Sequence, residues 1–431
     1  MMTERYVFWC GAGISIESRM PSGPHLTAAW LRHHLPDGEA DHILDLFKRH
    51  GDLFGKDLPR LEKIVGDAVW AFGNDCLQNL AFFKDCPANP IHHAIADYVC
   101  REHGTVITTN FDTAIEDCHR GLIPVSTPSA GLVADWGVFK VHGSISESMA
   151  ELGVTIDNLQ GGLPTEWSAF LEAMLDTPDL TFVFVGYSGS DFFDISPLFK
   201  RRAREENPFV SRAIWLHFHP DHEAALNWSE DDLRDDLPPG APDMLEAFDP
   251  ARRQVLPGIS RLHLETLLGR VIAEGEYGWK PSWTYHPTPD QQRRYAAKIY
   301  ASLGMGRDSY RWALPAGTIV DGFTKDHQLV LNAMRDMGVY EAEYRLRQQA
   351  IQPVPSFQDQ LTPLRHFCAS ARLAGHHMEA WRLYNGLLNT AAQKQPTMRE
   401  QRTEILWCAA EAGLYFQSFA TKLPHGWLLF P

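Results

Sequence analysis

Four short clusters carry the residue types that could do chemistry: GAGIS at 11–15, TTNFD at 108–112, KVHGS at 140–144 and GYSGSD at 186–191. In the first, Gly11, Ala12 and Gly13 make a turn tight enough for backbone N–H groups to face an anion, with the hydroxyls of Ser15 and Ser18 beside it. A dehydrogenase fingerprint would need a third glycine where Ile16 stands, and an acidic residue closing a second strand ~20 residues on; neither is present. GYSGSD resembles the serine elbow of a hydrolase, yet the glycine expected two places after Ser188 is replaced by Ser190. His142 suits a base that titrates near neutrality, and equally a satisfied buried histidine. Asn110 and Asp112 also suit N-caps for a helix beginning at Thr113, and Asp191 a cap for FFDISPLFKRR.

Each cluster ends a short, β-rich apolar run: Tyr6–Cys10, Thr105–Thr109, Val138–Val141 and Leu180–Val185. A fifth run follows at Arg212–His219. Strands that are apolar on both faces are expected in a parallel sheet covered by helices on each side. Ligands of such open sheets bind beyond the carboxyl ends of the strands. Four polar clusters at four strand ends are therefore expected to meet in one crevice. The fold class expected is α/β, a Rossmann-like parallel sheet.

Between the first two runs, HLTAAWLRHHL, DHILDLFKRHG and LEKIVGDAVWAF repeat apolar residues at helical spacing, which predicts a helical insert over 25–100. NPIHHAIADYVCREHG reads as the helix that delivers the chain to the second strand, ended by Gly104. Residues 1–276 would form this first domain. The proline- and aromatic-rich stretch YGWKPSWTYHPTPD opens a predicted linker over 277–318. Over 319–431 the pattern is helical, and Gly338, Gly375 and Gly413 recur at intervals of 37 and 38 residues. That interval predicts an all-α, TPR-like helical-repeat domain, because such hairpins bury their apolar faces only by stacking.

The formal net charge is -15, which disfavours direct nucleic-acid binding. No stretch approaches the ~20 apolar residues of a membrane span, and the opening MMTERYVFWC lacks the h-region of a signal peptide, so a cytoplasmic protein is expected. The seven cysteines are scattered without a C-x-x-C pair, and the paired histidines are adjacent rather than four apart. No metal site is expected.

Taken in order, GAGIS with MPSG at 20–23, TTNFD, KVHGS and GYSGSD resemble the Sir2 (sirtuin) superfamily, and most closely its divergent bacterial members that act as NAD-consuming effectors in antiphage defence. The resemblance covers roughly residues 1–270. It implies that Gly11, Ala12, Gly13 and Ser15 hold the pyrophosphate of NAD, with Ser18 alongside. It implies further that Asn110 fixes the nicotinamide ribose or the attacking water, that Asp112 lies near the carboxamide and that His142 is the general base. Gly186 and Ser188 would touch the adenosine ribose, with Asp191 bracing their loop. Thr109 stands where deacylases carry glutamine, and their four-cysteine zinc module is missing. Both departures point away from deacylation and towards hydrolysis of NAD to nicotinamide and ADP-ribose.

The resemblance also implies NAD as substrate without a metal, abortive infection as the setting, a homo-oligomer, and a regulatory protein partner from the same defence operon, an ATPase or nucleotide-processing enzyme. An NAD-dependent deacylase and a non-catalytic NAD or ADP-ribose sensor stay open as alternatives.

Overall fold

The computed structural model describes most of residues 5–313, apart from 19, 50–58, 123, 126–135, 148, 150–151, 160, 192–193, 219–235, 239, 259, 274–281 and 304. It also describes 325–338 and scattered positions up to 382. The chain divides into two compact units, Met1–Thr288 and Pro289–Pro431.

The first unit is built on a seven-stranded sheet in which every pairing is parallel. Its strands are β1 (Arg5–Cys10), β2 (Thr105–Thr108), β3 (Pro124–Val125), β4 (Gly137–Lys140), β5 (Leu180–Val185), β6 (Arg212–Phe218) and β7 (Arg253–Gly258), in the order β3-β4-β2-β1-β5-β6-β7. The five apolar runs are thus strands, and the fold is Rossmann-like α/β. Strands β2, β4 and β5 are buried along their whole length, which is why they read as unbroken apolar runs. Alternate side chains feed two cores: Val7, Trp9, Phe182 and Phe184 enter one, and Phe8, Cys10, Val183 and Val185 enter the other. The strand order reverses direction at β1, which lies between β2 and β5, and such a switch point is where open α/β sheets bind ligands.

Helices α1 (Gly23–His34), α2 (Glu39–Arg49) and α3 (Leu61–Phe72), with a 3-10 segment at Asn74–Asp85, lie within the span expected as an insert. In α2 the buried residues are Ala40, Ile43 and Phe47, the three- and four-residue spacing of a one-sided helix. Helix α4 (Pro90–Glu102) instead packs on the sheet through Ile91, Ala94, Ile95 and Val99. It starts with Asn89 as N-cap and ends on His103, which takes the left-handed conformation (φ 52°) just before Gly104. Then come α5 (Ala114–Asp117), α6 (Ile156–Leu159), α7 (Thr165–Leu175), α8 (Ile195–Arg204), α9 (Ala241–Leu245) and α10 (Ser260–Leu268).

The stretch expected as a linker over 277–318 is partly structured. Asn79 accepts the backbone N–H groups of Thr284 and Tyr285 and donates to the Tyr285 carbonyl, tying that stretch to the insert. Helices α11 (Pro289–Ser302) and α12 (Gly306–Ala313) also fall within it. The proline signal ends at Asp290, and Tyr295, Ala296, Ile299 and Tyr300 then form a buried helical stripe. In the second unit α13 (Lys325–Asp336) follows, with Gly338 beyond it at φ 74°. Gly375 and Gly413, on which the repeat reading also rests, lie outside the described residues.

Candidate active site

The loops after β1 and β5 touch backbone to backbone. Gly11 N–H donates to Val185 O (3.1 Å) and Gly13 N–H to Gly186 O (2.8 Å). A Cβ on Gly13 would lie 2.5 Å from Gly186 Cα, and one on Gly186, whose φ is +59°, would lie 2.4 Å from Ile14 N. The glycines therefore admit a second loop of the protein. Since both amides donate within the fold, the expected anion cradle cannot rest on Gly11 and Gly13 N–H; Ala12 between them is exposed.

The two serines also differ from expectation. Ser18 is fully buried and its hydroxyl donates to Pro87 O (2.6 Å), which holds the 3-10 segment Ala12–Ser18 in place rather than facing a ligand. Ser15 is buried between His92 Nε2 (3.1 Å) and Asp112 Oδ2 (3.4 Å). The other Asp112 oxygen accepts Ala114 N–H (3.1 Å), a helix-capping contact.

Asn110 is placed by its neighbours. Thr108 Oγ1 donates to Cys10 O (3.0 Å) and accepts Asn110 N–H (3.0 Å), while Asn110 Nδ2 donates to Gly11 O (3.2 Å). Its Oδ1 accepts nothing among the described residues. The β2 and β4 loops are joined in turn: Ile145 N–H donates to Phe111 O (3.0 Å), and the buried Lys140 ammonium donates to Asp112 O and to Glu116 (2.8 Å). Phe111 and His142 have ring centroids 6.4 Å apart.

His142 reaches to the β5 side. Strands β4 and β5 are three intervals apart, ~14 Å at the usual strand spacing, yet His142 Nε2 lies 2.8 Å from Asp194 Oδ2. The ligand atoms of His142, Asp191 and Asp194 all fall within 4.8 Å of one another. Part of this set is already engaged in hydrogen bonds within the fold. Asp191 accepts the Tyr187 hydroxyl (2.5 Å), and Asp194 Oδ1 accepts Ile195 N–H (2.8 Å). Burial opposes the imidazolium, but the Asp194 hydrogen bond and the charges of Asp191, Asp194 and Glu62 outweigh it, so the His142 pKa is raised. Burial also raises the Asp191 carboxyl, against the pull of His142. Ser188 is exposed at the loop tip, and Arg60 at the start of α3 donates to Ser190 O (3.3 Å), so the insert grips this loop.

The four loops thus form a closed ring: β1 to β5 through Gly13 and Gly186, β1 to β2 through Asn110 and Ser15, β2 to β4 through Lys140, and β4 to β5 through His142 and Asp194. A cavity of about 230 Å³ opens beside it, lined by His142, Ser144, Glu147, Asn158, Trp167 and Asp194 among others. Of the eleven residues singled out from the sequence, only His142 lines it. It is smaller than the ~300–1,000 Å³ of typical ligand sites, too small for a whole dinucleotide.

Lys140, Glu116, His92, Asp194 and Tyr187 were not legible as site residues. Lys140 left a trace, a charge inside the apolar run VFKV, and Tyr187 and Asp194 lie within GYSGSD and FFDISPLFKRR without being singled out.

Residues 104–234 match the SIR2-like domain. The match takes in the TTNFD, KVHGS and GYSGSD loops and supports placing the domain in the Sir2-like superfamily; the GAGIS loop joins them in space from outside the matched span. No curated protein matches the chain significantly. SIR2-like domains belong to NAD-utilising enzymes, so the match suggests NAD-related activity. Among the described residues no helix is long and apolar enough to cross a membrane.

Proposed function

We propose that the chain hydrolyses NAD to nicotinamide and ADP-ribose. The observation that carries the reading is the ring of four strand-end loops, which sets a carboxamide with an unused acceptor (Asn110) on the loop bonded to that of His142. Cleavage of the nicotinamide–ribose bond passes through an oxocarbenium-like state. The pyridinium leaves as neutral nicotinamide, taking the bonding pair, and water attacks the ribose carbon. Asn110 Oδ1 accepts from that water or from a ribose hydroxyl. Asp194 accepts Nε2–H of His142, so in the neutral ring the lone pair lies on Nδ1, which takes the proton of the attacking water. The raised His142 pKa keeps the ring protonated until the pH exceeds it, so the base form grows with rising pH.

An unregulated NADase would exhaust its own cell. The reading therefore extends to an antiphage effector held inactive until a partner or an oligomer releases it, with 329–430 as the docking region. The test is release of nicotinamide from NAD by the full chain, expressed with its genomic neighbours so that an activator is present. His142→Ala and Asn110→Ala should each reduce release ~10²–10⁴-fold while the proteins stay folded. Turnover that requires an acyl-lysine peptide would replace this reading by the deacylase. Binding of NAD with no release under any activating condition would replace it by the sensor.

A further inference from the structure

Behind the ring lies a buried chain of hydrogen bonds to which the proposed reaction assigns no step. Asn89, fully buried, caps α4 by accepting the N–H groups of Ile91 and His92, and its Nδ2 donates to Ile14 O (2.7 Å). Its backbone N–H donates to Nδ1 of His92 (3.0 Å), which leaves the ring proton on Nε2. That N–H faces Ser15 Oγ at 3.1 Å, so the Ser15 hydroxyl accepts from His92 and sends its own proton to Asp112 Oδ2 (3.4 Å). From the Asn89 N–H through His92 Nε2–H to the Ser15 hydroxyl, each donor points towards Asp112. His92 is 0% exposed, so neither water nor substrate reaches it.

We propose that His92 is a positioning residue, whose Nε2–H turns the Ser15 hydroxyl onto Asp112 and so locks the loop after β1 to the loop after β2, where NAD is bound. The proposal rests on NAD as the substrate of this ring. A His92 pKa lowered to about 4, chiefly by burial, keeps the ring neutral throughout the neutral range, and the Asn89 N–H then fixes its tautomer. Ser15 then acts through Asp112 and is not a free hydroxyl for the pyrophosphate. The adjacent His93, for which no such chain exists among the described residues, has no part in it.

The test measures NAD affinity by calorimetry and nicotinamide release for the full chain and three variants. In His92→Gln the side-chain amide can repeat both bonds, accepting the Asn89 N–H and donating to Ser15; His92→Leu can repeat neither. NAD affinity should stay within about threefold for His92→Gln and fall about tenfold for His92→Leu. The double variant Ser15→Ala/His92→Leu should be no worse than His92→Leu alone, because the two residues act as one unit. A double variant clearly weaker than His92→Leu alone, or equal losses for Gln and Leu, would overturn the positioning role. The expected affinity pattern, with no nicotinamide release even when the chain is expressed with its genomic neighbours, would uphold it and overturn the hydrolase reading instead.

Discussion

Two buried histidines at the ends of the same sheet titrate in opposite directions. His92 meets a backbone amide and a hydroxyl, and burial takes its pKa down to about 4 against the pull of a single carboxylate, Asp112. His142 is as deeply placed, but it faces Asp194 directly and has Asp191 and Glu62 nearby, and its pKa is raised. Depth alone therefore does not decide the charge of an imidazole; the number of carboxylates within reach does. The first histidine is suited to hold a geometry and the second to exchange a proton.

The largest effect expected on this contrast comes from Asp194→Asn. Without the carboxylate charge His142 moves towards the state of His92: its pKa should fall from its raised value, although Asp191 and Glu62 remain, and nicotinamide release should lose most of its rate, because the imidazolium loses its nearest counter-charge. The residual activity should reach its plateau at a lower pH than in the wild type. A pH–rate profile checks this, and an unchanged midpoint would remove Asp194 from the mechanism.

Stability should follow the two histidines with opposite signs. Unfolded His92 titrates near 6.5 and folded His92 near 4, so between these values the unfolded chain binds more protons and stability falls as the pH falls. The slope is about 1.4 kcal/mol per pH unit for such a group. His34, lowered to about 3 by burial, adds to the same loss. His142, with a raised folded pKa, contributes stability that is fully present below 6.5 and is lost as the pH rises through its folded value. Denaturant titrations from pH 4 to 8 should show the His92→Gln variant with a shallower acid loss than the wild type.

The smallest effect should come from Ser18→Ala, which lies outside both networks. It removes one hydrogen bond to Pro87 O and should cost ~1 kcal/mol of stability, with nicotinamide release unchanged. A large loss of activity would restore Ser18 to the ligand site.

The sheet was largely legible because doubly buried strands leave continuous apolar runs. The two strands that escaped are edges: Pro124–Val125 has two residues, and RQVLPG mixes polar residues and a proline. Asn110 and His142 could be placed just past the ends of their strands because strand ends announce themselves. The role of Gly11 and Gly13 could not, since a glycine turn that admits a phosphate and one that admits Gly186 have the same composition. His92 and Asp194 were hidden for a related reason. Their partners stand 77 and 52 residues away, and only the folded sheet brings them together.

The most direct test is a structure of the full chain with NAD, or with a non-cleavable analogue, in the ring. The nicotinamide ribose should lie between the Asn110 carboxamide and the His142 imidazole, over the carboxyl ends of β1 and β2. A dinucleotide seated elsewhere, with Asn110 and His142 still bonded only to the protein, would contradict the account.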